Sequence, residues 1–195
     1  MNWPWTERNF KMTEKEKMKL GLWYDANFDE ELVEERLIAE DLCFELNHIR
    51  PKETKKRKAI LRKLMPELGE NCTILSPFVT DYGCYCYIGH DTFINHNAYL
   101  MDGGGITIGH HCFIGPNCGM YTAIHPLIAE ERNAGLEKAL PITIRDNCWI
   151  GAKSVVTKDV PDHVIAVGNP CRVLRPITEN DKIDQENMDE KTNIE

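Results

Sequence analysis

The stretch "LMDGGGITIGHHCFIGPNCGMYTAIHPLIAEERNAGLEKALPITIRDNCWIGAKSVVTKD", Leu100 to Asp159, sets one phrase against itself: "ITIGHHCFIG" and, further on, "ITIRDNCWIG". Aliphatic anchors fall six apart at Ile108, Ile114 and Met120, and again at Ile144, Ile150 and Val156. The same step precedes them at Ile88, Ile94 and Leu100, and a weaker set opens at Leu68 and Ile74. A six-residue period with one aliphatic anchor predicts a parallel β-helix, whose coil has three flat sides and whose anchors point inward onto those of the next coil. Several anchors precede Gly or Asn, as in Ile88-Gly89, Ile94-Asn95 and Ile108-Gly109. These residues suit a corner where the backbone turns through positive φ. Ile88 to Ile108 is 20 residues, one coil plus two at a corner, with Gly103, Gly104 and Gly105 supplying the slack.

Ile108 to Ile144 is 36 residues, one coil plus a further 18. The chain therefore leaves the prism after Met120 and rejoins it at Pro141. Long loops inside a compact repeat are uncommon and usually functional. His125 sits in this one; on spacing alone it reads equally as an acid–base group or as a surface residue before a proline.

Upstream, residues 13 to about 66 read as helix. Leu32, Val33, Leu37, Ile38, Leu42 and Phe44 form one broad apolar face, and Pro51 ends the segment. A second, basic helix carries Ile60, Leu61, Leu64 and Met65 on one side and lysines on the other. Three segments follow: a helical part (1–66), a β-helix (67–175) with its loop (121–141), and an acidic, flexible tail (176–195). From Thr178 to Glu195 seven acids face two lysines.

The 195 residues carry 23 Lys and Arg against 31 Asp and Glu, a balance that argues against a nucleic-acid partner. Met1 to Lys11 has no apolar core, and no stretch is apolar enough to cross a membrane, so a cytoplasmic protein with reduced thiols is expected. Cys72, Cys84 and Cys86 fit no zinc spacing and read as small buried hydrophobes.

The order of helical N-terminus, hexapeptide coils, "YTAIHPLIAEERNAGLE", "PITI", "NCWIG" and "SVVTKDVPDHVIAVGNPCRVLR" closely resembles the maltose and galactoside O-acetyltransferases of the hexapeptide-repeat family, from about Thr6 to Arg175. The resemblance implies a mainly β fold, a left-handed parallel β-helix. It also implies a homotrimer with active sites between subunits, acetyl-CoA as co-substrate, a sugar hydroxyl (maltose, glucose or galactoside type) as acceptor, and no metal. His125 matches the general base, which takes the hydroxyl proton during direct attack on the thioester. Asp25 and Asn95 match acceptor contacts, and Asp81 stands where the galactoside enzymes usually have a serine. Ala152, Thr157 and Lys158 match the segment lining the CoA channel, with Arg172 and Arg175 as cationic partners for its phosphates. A backbone N–H just after Gly151 is placed to stabilise the oxyanion.

The chain departs from the family in two places. It passes from "NCWIG" straight into "AKSVVTKD" where the family has a further coil of about 18 residues, a loss that a solenoid absorbs without breaking register. Arg145 occupies a corner where the family has glycine. Two other readings stand beside the transferase. One is a catalytically impaired binding or structural trimer that lost activity with the coil. The other is a metalloenzyme like the γ-class carbonic anhydrases, for which His90, His96, His110, His111 and His125 supply imidazoles.

Overall fold

The structure, a computed structural model, describes residues 12–183. Residues 1–11 and 184–195 lie outside it, and with them the opening segment and most of the acidic tail. Thr13 caps α1 (Glu14–Lys19) through a reciprocal pair with Glu16. Gly21 then turns the chain at φ 64° into β1 (Tyr24–Asp25), so the expected helical segment is interrupted before it resumes as α2 (Glu30–His48) and α3 (Thr54–Leu64).

α2 does not bury the face expected of it. Leu32, Ala39, Cys43 and Leu46 face inward, whereas Leu37, Ile38 and Phe44 are exposed. The apolar residues of α2 are spread around its axis, and the inward stripe is the one whose small members, Ala39 and Cys43, let the helix approach the coils closely. Asn47 fixes that approach: its side chain donates to Phe78 O at 2.9 Å and accepts from Phe78 N–H at 3.0 Å. α3 behaves as its sequence predicts, with Ile60, Leu61 and Leu64, and Met65 just beyond it, all buried. Arg57 donates to Leu46 O and Ile74 O, both at 3.0 Å, so the helical pair closes the open end of the first coil.

The first coil carries β2 (Thr73–Ile74) and β3 (Phe78–Thr80), the second β4 (Cys86–Ile88), β5 (Phe93–Ile94) and β6 (Ala98–Met101), and the third β7 (Ile106–Ile108), β8 (Phe113–Ile114) and β9 (Gly119–Tyr121). β10 (Ala123–Ile124), α4 (Ala129–Asn133) and β11 (Leu136–Ala139) form the excursion. The fourth coil is β12 (Ile142–Ile144), β13 (Trp149–Ile150) and β14 (Val155–Val156), followed by β15 (Val164–Val167) and β16 (Arg172–Pro176).

Every anchor stacks in register. Ile88, Ile108 and Ile144 line the first sheet, Ile74, Ile94, Ile114 and Ile150 the second, and Thr80, Leu100, Met120 and Val156 the third. Each is at most 4% exposed, and burying an aliphatic side chain of this size stabilises by roughly 1.5–3 kcal/mol. Three parallel sheets with six residues to a side are consistent with a left-handed β-helix. The periodicity underreads both ends, where Thr80 completes the first set and Val160 with Ala166 opens a fifth, incomplete coil. β16 turns back antiparallel on β15 and finishes the stack.

The corners obey a different rule from the one their glycines suggest. The residue in the left-handed region is the third after the anchor: Asn71, Asp91, Asn97, His111, Asn117, Asn147, Lys153 and His163, at φ between 54° and 61°. Glycine directly after the anchor answers a packing demand instead, because a Cβ on Gly89 would lie 2.6 Å from Gly109 C and one on Gly115 2.6 Å from Ala152 N. Arg145 is therefore unstrained; its side chain is exposed, its N–H donates to Val160 O at 3.0 Å, and Asn147 takes the left-handed turn.

Candidate active site

The excursion is an ordered sheet. β10 and β11 pair antiparallel, Ile124 opposite Lys138, and β1 adds to the free edge of β11, Tyr24 opposite Glu137 and Asp25 opposite Leu136. The N-terminal segment and the loop, more than 100 residues apart in sequence, are thereby placed in one sheet. His125 follows β10 directly and is half-exposed, its Nε2 3.8 Å from Oε2 of the largely buried Glu137. The Tyr24 hydroxyl donates to the other oxygen of Glu137. Burial, and then the bond to Glu137, pushes the Tyr24 phenol far above its ordinary range, so it stays a donor. A buried hydroxyl bonded to a carboxylate thus stands next to an exposed imidazole, and the last approach, at 3.8 Å, is electrostatic and longer than a hydrogen bond.

Asp25 lies beside these groups but is held locally: its Oδ1 accepts from Asn27 N–H at 3.2 Å and Phe28 N–H at 2.9 Å, while the helix cap proper is Asp29. Gly135, at φ 85°, lets the loop backbone come close to Asp25 and Phe28. Asp81, just beyond β3, accepts from the Tyr99 hydroxyl at 2.5 Å. Burial raises its carboxyl above the usual range, the Tyr99 bond opposes this, and Asp102 and Glu137 are near enough to add repulsion. Asp81 and Tyr99 line a cavity of about 480 Å³ with Arg36, Glu40, Phe44 and Val79.

Asn95 is not brought to His125 within one chain. It stands at the corner from the second sheet to the third, with its Oδ1 accepting from His96 N–H at 2.7 Å, whereas the excursion departs from the far end of the third sheet. Ala152 stands on the same edge as Asn95, two coils on, packed over Gly115. Thr157 and Lys158 are exposed at the next corner, and Lys158 shares a cavity of about 180 Å³ with Arg172. Arg175 forms two bonds to Asp181, at 2.8 and 2.7 Å, which hold the Asp181 carboxyl down at about 2.

The matches to known proteins cover both halves of this arrangement. Residues 17–69 match the maltose acetyltransferase hexapeptide capping motif, and residues 105–125 and 133–173 match the hexapeptide repeat of succinyl-transferase. A Staphylococcus aureus protein named provisionally as an acetyltransferase is 50% identical over 199 residues, covering 93% of this chain and 99% of its own. This chain belongs to the hexapeptide-repeat acetyltransferases of the maltose/galactoside type. Among solved structures, a maltose O-acetyltransferase from Clostridium difficile is 40% identical with a TM-score of 0.77, over 86% of this chain and 99% of its own. A galactoside acetyltransferase in complex with coenzyme A is 33% identical with a TM-score of 0.78, over 89% of this chain and 96% of its own.

Sequence reasoning on this family member missed Tyr24 and Glu137. Glu137 lies 12 residues beyond His125, and only the hairpin that brings them face to face marks it out. The cysteine reading needs correcting at two positions: all eight thiols are free and Cys86 is buried, but Cys72 is half-buried and Cys84, at the surface turn before β4, is exposed. Among the described residues, no helix is long and apolar enough to cross a membrane.

Proposed function

We propose that this protein is an acetyl-CoA-dependent O-acetyltransferase acting on a hydroxyl of a sugar of the maltose, glucose or galactoside type. The observation that carries the proposal is the 3.8 Å approach of His125 Nε2 to Glu137 Oε2 on the sheet that also holds Asp25. A sugar hydroxyl is a poor nucleophile at neutral pH, and His125 takes its proton as the oxygen attacks the thioester carbonyl; general-base help of this kind contributes about 10²- to 10⁴-fold. Glu137 stabilises the imidazolium that forms and Tyr24 holds Glu137. The imidazolium then returns its proton to the departing CoA thiolate.

Asp25, Asp81 and Asn95 bind the acceptor, and the cavity beside Asp81 offers the mixed aromatic and charged lining that sugars use. Since Asn95 and His125 lie on different edges of one prism, the complete site forms between subunits of a homotrimer. The exposed Leu37, Ile38, Phe44 and Val79 supply apolar surface for such an assembly. Ala152, Thr157, Lys158 and Arg172 line the CoA channel, with the N–H after Gly151 near the oxyanion; Arg175 joins them once Asp181 releases it.

The passage from Gly151 straight to Ala152 reads as a stack one coil shorter than the family pattern. The shortened channel also keeps a second reading in play, a trimer that binds acetyl-CoA without turning it over. Acceptor-dependent release of free thiol from acetyl-CoA, with maltose, glucose and a galactoside, separates the two. Release with any of them supports the transferase; retained acetyl-CoA binding without release supports the binding trimer.

A further inference from the structure

One edge of the prism, the corner leading from the first sheet to the second, carries none of the residues assigned to acyl transfer. Its side chains instead form a ladder of imidazoles and carboxylates, because each coil from the second onward contributes two turn residues in succession: His90 and Asp91, His110 and His111, Asp146 and Asn147, Asp162 and His163. Between the second and third coils His90 stacks on His110 with ring centroids 4.0 Å apart, and His111 meets His90 edge-on at 5.0 Å. His110 Nδ1 accepts the His90 backbone N–H at 3.0 Å, and the His110 backbone N–H donates to Asp146 Oδ1 at 2.8 Å, so one of its ring nitrogens is already taken. The other three converge: one ligand atom each from His90, Asp91 and His111 lies within 4.8 Å of the others, the one such grouping of His, Cys, Asp and Glu among the described residues.

The backbone beneath the grouping is rigid. Asp91 and His111 occupy equivalent left-handed corners at φ 55° and 54°, and His111 N–H donates to His90 O at 3.1 Å. Donor atoms around a four- or six-coordinate divalent ion at about 2.0–2.2 Å stand roughly 3 Å apart, so rotamer adjustments of an ångström or two complete the site without moving the coils. His90 Nδ1 now donates to Asp91 Oδ2 at 2.6 Å, a bond that the ion would replace.

We propose that His90, Asp91 and His111 form a surface site for a divalent transition-metal ion such as zinc, with water completing the coordination, that staples the second coil to the third. Two imidazoles with one carboxylate select zinc, nickel, copper or cobalt over magnesium or calcium, which take all-oxygen sets. The ion sits away from His125 and takes no part in acetyl transfer.

The test is calorimetric titration of Zn²⁺ into the untagged, chelator-treated full chain, alongside His111→Asn and Asp91→Asn. Asparagine already fills the same left-handed corner at Asn71 and Asn147, so both variants keep the fold while removing a ligand or its charge. The site predicts one zinc per chain, a dissociation constant at least tenfold weaker in His111→Asn, and a zinc-dependent rise in Tm in the parent that the variant lacks. Affinity falls as the solution is acidified, because both imidazoles must be neutral to bind. Absence of saturable binding in the parent, or unchanged affinity and stoichiometry in His111→Asn, would overturn the proposal.

Discussion

Replacing Glu137 by glutamine isolates its electrostatic contact with His125. The side-chain amide of Glu137→Gln keeps an oxygen for the Tyr24 hydroxyl and nearly the same volume, so the β1–β11 pairing and the loop stay in place; what disappears is the negative charge 3.8 Å from His125 Nε2. A unit charge at that distance stabilises the imidazolium by roughly 4 kcal/mol at an effective dielectric of 20 and roughly 1 kcal/mol in bulk water. His125 is 51% exposed, which places the effect near the wet limit, about 1–2 kcal/mol. At 1.36 kcal/mol per decade this is about a 5- to 30-fold loss of rate. Because the imidazolium exists only as the proton moves, the loss falls on kcat and leaves the KM for sugar and for acetyl-CoA nearly unchanged. Steady-state kinetics over a pH series read both quantities. A Glu137→Gln enzyme with parental kcat and the parental pH profile would refute the part given to that contact.

Three further predictions bear on other parts of the structure. Asp81 has its folded pKa raised by burial, so the stability it costs is absent below the unfolded value of about 3.9 and grows as pH rises through the folded value. Asp81→Asn, which still accepts from Tyr99, should remove that slope and raise the urea midpoint at pH 7 while weakening acceptor binding; an unchanged midpoint at pH 7 counts against the burial cost. Asp181→Asn releases Arg175 and should lower the KM for acetyl-CoA at low salt, whereas no change would mean that Arg175 stays outside the CoA channel. Ile114→Ala, at the centre of the second sheet and 1% exposed, should cost about 2–5 kcal/mol in denaturant unfolding, and a loss below 1 kcal/mol would contradict the stacked-anchor core.

Much of the prism is legible because its physics is periodic. A buried side chain every six residues writes itself into the sequence, and Ile88 through Val156 fell in register without help from tertiary structure. The ends are less legible: Thr80 is polar at an anchor position, and Val160 follows Val156 by four residues instead of six, so neither fits the pattern that reveals the rest. α2 misled for a related reason. Its burial is decided by close approach at Ala39 and Cys43, and hydrophobicity alone does not distinguish those from Leu37 or Phe44. The corner glycines were visible, but their cause was contact with the next coil and not their own φ.

The candidate site divides in the same way. His125 was visible because it interrupts a repeat, while Asp25, Asp81, Asn95 and the residues proposed to line the CoA channel needed the family resemblance. Tyr24 and Glu137 emerged only from the antiparallel register of β1 with β11, a pairing across the whole span from N-terminus to loop that leaves no local mark.

The most direct test of the account is acetyl-CoA-dependent thiol release with a saturating sugar acceptor, measured on the parent protein and on His125→Ala with the fold of both checked by thermal unfolding. Sugar-dependent release that falls at least about 100-fold in the folded variant is the predicted result. Equal release by the two proteins would remove His125 from the chemistry and contradict the mechanism at its centre.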